Sequence, residues 1–115
     1  MSELLFVALE AHHGERDHHR RYEVAVCRDL LGDWVATVAY GRAGQRLRRL
    51  QFGAADQEAT RRFVRERLRR RLSAPRRIGC AYETTELIAG EGVALGEWVP
   101  EGLVGQAQLT VAVGG

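Results

Sequence analysis

The sequence predicts an α+β domain: an antiparallel sheet of about four strands, connected as a meander, packed against one main α-helix. Three observations carry this expectation. Four apolar segments of strand character fill the first half of the 115-residue chain. The turns that separate the later ones are short, which favours antiparallel neighbours. After Phe52 the apolar period lengthens to that of a helix. A chain of this length holds one core without disulfide or metal staples.

The first strand is read at Leu4 to Ala11, "LLFVALEA", with apolar residues on both faces. A polar loop around Gly14 follows. Tyr22 to Leu30 alternates Tyr22, Val24 and Val26 against Glu23, Ala25 and Cys27, a second strand. Gly32 turns the chain into "WVATVAY", which sets Trp34, Ala36, Val38 and Tyr40 on one face. "GRAGQ" turns it again, and the fourth strand returns with Leu50 and Phe52 inward and Arg49 and Gln51 outward. The helix is expected from Asp56 to about Leu72, with Asp56 as N-cap and Glu58 complementing the helix dipole. Phe63, Val64, Leu68 and Leu72 form its apolar stripe, and Pro75 bars its continuation. The remaining residues read as a short Gly-rich C-terminal extension. In it "GVALGEWVP" and "QAQLTVAVG" are candidate strands and "ETTELI" a helical turn. Residues 1–82 are expected to form the domain, and residues 83–115 an extension packed on it.

Composition narrows the function. No apolar run approaches the ~20 residues of a membrane-spanning helix, and Glu3 stands where a signal peptide carries positive charge. The expectation is a cytoplasmic protein with no membrane partner. Two cysteines, Cys27 and Cys80, do not make a disulfide framework, and Cys27 reads as a buried reduced thiol.

Charge is segregated along the chain. All 17 basic residues are arginine, and the formal net charge is only +2. Residues 1–39 carry −3, residues 40–79 carry +10 and residues 80–115 carry −5. Nine arginines lie between Arg61 and Arg77, against the single acid Glu66. Like charges at i, i+4, such as Arg61/Arg65 and Arg65/Arg69, cost a helix about 0.2–0.5 kcal/mol each. An anionic partner would relieve that repulsion, and guanidinium groups grip phosphate with two parallel hydrogen bonds.

No catalytic motif stands out. There is no Gly-x-Ser-x-Gly elbow, no phosphate-cradling loop ending in Gly-Lys-Ser/Thr and no His-Glu-x-x-His. The chain is therefore expected not to be an enzyme and to need no cofactor. His12, His13, His18 and His19 bracket the first loop. Imidazoles facing each other across a hairpin there could hold a transition metal, but a polar loop tip needs none, and no metal is expected.

Several segments in order resemble the WGR domain family, named for a Trp-Gly-Arg at a strand end. They are Arg21-Tyr22, Leu30-Leu31-Gly32-Asp33-Trp34, Tyr40-Gly41-Arg42-Ala43-Gly44, Ala59 with Phe63, and Arg76-Arg77-Ile78-Gly79 leading to Tyr82. The likeness covers about Leu4 to Tyr82. Tyr40 replaces the signature Trp, the turn before Gln45 is one or two residues shorter than usual, and Ala81 to Gly115 lie outside the likeness. In nuclear poly(ADP-ribose) polymerases such domains contact DNA at a strand break. The resemblance implies a stand-alone bacterial type of nucleic-acid-binding module, with DNA ends or nicks as ligand and other nucleic acid as a variant. Arg42 would grip backbone, Tyr40 would offer a ring to a sugar or unstacked base, and Gly41 and Gly44 would let the turn approach a phosphate. Arg46, Arg48, Arg65 and Arg69 would complete the basic face. The alternative is a protein-interaction or regulatory module whose arginine face docks an acidic partner or the acidic C-terminal third of a second copy, a homodimer.

Overall fold

The computed structural model describes residues 2–13, 18–54, 56–75, 80–104 and 109–112. The loop around Gly14, the segment Arg76 to Gly79 and the final glycines lie outside the described residues. Strands β1 (Ser2–His13), β2 (His18–Arg28), β3 (Trp34–Arg42) and β4 (Arg48–Ala54) form the expected meander, each antiparallel to the next. Helix α1 (Gln57–Arg71) follows, then β5 (Glu83–Gly90), two short helical turns α2 (Leu95–Trp98) and α3 (Glu101–Val104), and β6 (Leu109–Ala112). The sheet order is β4-β3-β2-β1-β5-β6. Its first five strands are antiparallel, and β6 adds to β5 in parallel.

Cross-strand register shows how the core is built. Leu5, Val26, Ala36 and Phe52 form one row across the sheet. Val7, Val24, Val38 and Leu50 form the next, and Leu9, Tyr22, Tyr40 and Arg48 a third. Directly opposed residues share a face, and α1 covers this one. Thr60, Val64 and Leu68 are its fully buried residues, while Phe63 stacks on Phe52 with centroids 4.4 Å apart. Asp56 caps α1 as expected, accepting the Glu58 N–H at 3.0 Å. Thr60 enters the buried stripe because its hydroxyl donates to the Asp56 carbonyl at 3.2 Å.

The α+β architecture, an antiparallel meander with one main helix, is as expected, and among the described residues the C-terminal third extends the sheet to six strands. Four expectations are corrected. "ETTELI" is strand, not a helical turn. A register shift opposite Ala8/Leu9 makes Thr84, Leu87 and Ala89 the inward residues, so the inward spacing begins at three and imitates a helix. "GVALGEWVP" contains the helical turn α2 instead of a strand, closed by the Glu97 N–H on Ala94 O and the Val99 N–H on Leu95 O, both at 2.9 Å. Leu50 and Leu72, both expected inward, are 41% and 43% exposed. Leu50 sits on the edge strand, and Leu72 lies past the last turn of α1. Cys27 is half-buried rather than buried, and neither Cys27 nor Cys80 forms a disulfide.

Among the described residues no helix is long and apolar enough to cross a membrane.

Candidate functional site

The helix-covered face changes character where α1 ends. Beyond the row of Leu9 and Tyr22, the next row is Ala11, Arg20 and Arg42. Two arginines thus stand directly opposite each other on adjacent strands, an arrangement that destabilises a sheet by repulsion. Tyr40, 40% exposed, is the cross-strand partner of Arg48 one row away. The last residue of α1, Arg71, reaches into the same region, with its guanidinium carbon 4.5 Å from the Tyr22 ring centre. The result is a cleft of about 380 Å³ between Tyr40 and Tyr82, with Arg20, Arg21, Arg42 and Arg71 around it and Gly41 and His19 at its margin.

Two polar groups in this neighbourhood are buried without a hydrogen-bond partner among the described residues: the Tyr22 hydroxyl and Nε of Arg71. Burial holds the Tyr22 phenol above its ordinary value, against the opposing pull of Arg71, Arg67 and Arg70. A buried donor without an acceptor costs roughly 1–3 kcal/mol. Here it lies beside the cleft in a field of positive charge, the setting an incoming anion would satisfy.

The Tyr-Gly-Arg turn forms one wall. β3 ends at Arg42, and the Ala43 N–H donates to His19 O at 2.8 Å, tying the turn to the start of β2. The Gln45 N–H donates to Arg42 O at 3.2 Å, with Gly44 at φ +82°, the left-handed region that favours glycine. Gly41 has φ +153°, and a side chain there would also press on Leu47 at 3.3 Å. Arg46 lines a second groove on the other side of the turn with Gly44, Gln45, Arg49, Arg21 and Glu23.

Not every predicted residue gathers here. Tyr40, Gly41 and Arg42 line the cleft, Arg48 flanks Tyr40, and Gly44 and Arg46 belong to the adjoining groove. Arg65 is held elsewhere: its Nη1 donates to Gly96 O at 2.7 Å, against α2. Arg69 is exposed on the helix. Helix charge is relieved by acids beyond the Arg61 to Arg77 stretch as well as within it: Arg61 pairs with both Glu58 and Glu97, and Arg70 with Glu66 at 3.5 Å. The reading from sequence missed Arg20, Arg71 and Tyr82. One signal was available for Arg71: it lies three residues after Leu68 and seven after Val64, an arginine placed on the apolar stripe itself.

The opposite face of the sheet is charge-balanced. Arg21 Nε donates to Glu23 at 2.5 Å, and its other nitrogens approach Glu10 at 3.3 Å and Glu86 at 3.7 Å. The Glu23 hydrogen bond, with the nearby carboxylates, holds the Arg21 guanidinium above its ordinary value despite burial. His19 Nε2 lies 2.6 Å from Glu10 Oε1, and the His12 and His19 rings meet edge-on at 5.2 Å. His12↔His19 and His13↔His18 are cross-strand pairs, as a hairpin requires. No group of three or more His, Cys, Asp or Glu side chains among the described residues is arranged to hold a metal ion.

No protein-family model, curated protein or solved structure matches the chain.

Proposed function

We propose that the chain is a WGR-like, non-catalytic module that binds nucleic acid, DNA in the first instance, at the cleft beyond the C-terminus of α1. One observation carries the reading. The cleft collects Arg20, Arg42 and Arg71 between Tyr40 and Tyr82, and Arg71 also covers the ring of Tyr22, whose buried hydroxyl has no acceptor among the described residues. These three guanidinium groups, with that of Arg48 across from Tyr40, would neutralise backbone phosphates and position the strand. Tyr40 offers a half-exposed ring on which a sugar or a terminal base can pack. Gly41 and Gly44 keep the turn free of side chains where backbone would approach. An acidic protein on this face finds less support, because a protein partner calls for an exposed apolar patch beside the arginines, and Trp98, the one tryptophan of the acidic C-terminal third, is 3% exposed and stacked on Trp34.

The test is a salt titration of binding to blunt, nicked and closed circular DNA. If Arg20, Arg42, Arg48 and Arg71 each neutralise a phosphate, log K falls with log salt at a slope near −3.6. Arg42→Ala is expected to weaken all three by about 1.5–3 kcal/mol, the range for hydrogen bonds to charged groups. Tyr40→Ala should remove any preference for ends and nicks while leaving closed circles nearly unchanged. Binding that is absent at low salt, or indifferent to salt, refutes the reading.

A further inference from the structure

At the end of the sheet remote from the cleft, the β2–β3 turn presents two adjacent leucines to solvent. Leu30 is 93% and Leu31 87% exposed. The turn does not need them. The Asp29 side chain accepts the N–H groups of Leu31 at 2.9 Å and Asp33 at 3.0 Å. The Asp29 N–H donates to Asp33 O at 2.9 Å, and the Gly32 N–H to Asp29 O at 3.0 Å. Arg28 clamps the Gly32 carbonyl with Nε and Nη2 at 3.1 and 2.9 Å, while its guanidinium lies 5.2 Å from the Trp34 ring centre. Backbone and charged groups thus close the loop, and polar residues at its tip would serve the turn as well. A single exposed leucine needs no explanation; two on a pre-ordered tip form an anchor whose ordering cost is already met.

The same end of the molecule carries a matching recess. A cavity of about 170 Å³ is floored by Leu5, Val26 and Trp98 beside Trp34 and Val93, with exposed Ala94 at its margin. The two tryptophans stack with centroids 5.7 Å apart. An apolar cavity of about 150 Å³ accepts benzene, so this one has room for a leucine side chain. Exposed Glu91 stands on the cavity rim, opposite in sign to the exposed Arg28 at the base of the tip, while Glu97 on the same rim is paired with Arg61.

We propose that the occupant is a second copy of this chain: two copies pair about a two-fold axis at this end, each placing a tip leucine in the other's tryptophan cavity. Anchor and recess on one end of one chain are what a closed two-fold contact requires, because one rotation then fills both cavities. A foreign partner that received the leucines would leave the cavity unfilled. The pairing goes beyond the nucleic-acid reading and does not depend on it. The clefts lie at the far ends of β2 and β3 and stay open in the pair.

Sedimentation velocity of the full chain from about 10 μM to 1 mM is the test, a range that spans weak association. The wild type is expected to show a monomer–dimer equilibrium. Trp34 and Trp98 are the only tryptophans and both line the cavity, so emission should shift to shorter wavelength as dimer forms. The double variant Leu30→Asp/Leu31→Asp should raise the dimer dissociation constant at least about 30-fold, the loss typical of an interface anchor. Ala94→Phe, which crowds the cavity margin, should weaken it similarly. Both sites are exposed, so the far-ultraviolet circular dichroism should not change. An equimolar mixture of the two variants should associate more tightly than either alone, because one intact anchor and one intact cavity then meet. A wild type that stays monomeric throughout overturns the proposal. So does a dimer indifferent to both variants, or one sensitive to the tip but not to Ala94→Phe.

Discussion

Replacing Tyr22 by Phe deletes one oxygen and separates the two demands made on this residue. The ring is 2% exposed, packs in the core and lies 4.5 Å beneath the Arg71 guanidinium carbon. Phe preserves that packing and the cation–π contact. The hydroxyl has no partner among the described residues, and such a group costs about 1–3 kcal/mol in protein measurements. Tyr22→Phe is therefore expected to stabilise the fold by about 1 kcal/mol or more, near 4 °C in Tm for a chain of this size. If the hydroxyl awaits a phosphate, the same change should weaken DNA binding by about 1.5–3 kcal/mol. Stability and affinity would then move in opposite directions, the signature of a group retained for binding at the expense of the fold. Urea unfolding and fluorescence anisotropy with labelled nicked duplex measure the two arms on one preparation. A variant less stable than wild type refutes the argument that the hydroxyl is unsatisfied. A more stable variant with unchanged affinity refutes its place in the binding site.

Two further outcomes follow from the same geometry. Burial raises the Tyr22 phenol above its ordinary value of 10.0, so the folded state holds that proton more tightly than the unfolded one. The resulting stability is complete below about pH 10 and is lost as pH rises through the raised value. The stability gap between Tyr22→Phe and wild type should widen above pH 10 in urea titrations, and a constant gap from pH 8 to 11 would remove Tyr22 as its cause. Arg65→Ala should free α2 from the helix by removing the bond to Gly96 O, costing about 0.5–1.5 kcal/mol of stability. It should lower DNA affinity far less than Arg42→Ala; an equal loss in the anisotropy assay would extend the interface along the outer face of α1.

The sequence by itself determined those features that depend on neighbours along the chain. The strand order from Leu4 to Phe52 was legible because alternation and short turns are local signals. Asp56 as a cap, Val64 and Leu68 as the buried stripe, and glycines at the Tyr-Gly-Arg turn were legible for the same reason. Other features arise from pairing between distant segments, and only the tertiary structure decided them. The register shift beside Ala8 put Thr84 and Leu87 on one face and hid a strand behind a spacing of three. The β2–β3 register set Arg20 opposite Arg42, and the end of α1 over Tyr22 brought Arg71 to join them. Arg65, equally basic in sequence, was drawn to the carbonyl of Gly96, 31 residues away. Charge in a sequence shows how many guanidinium groups there are. Which of them converge depends on strand register and on where a helix ends, and neither is a property of any short stretch.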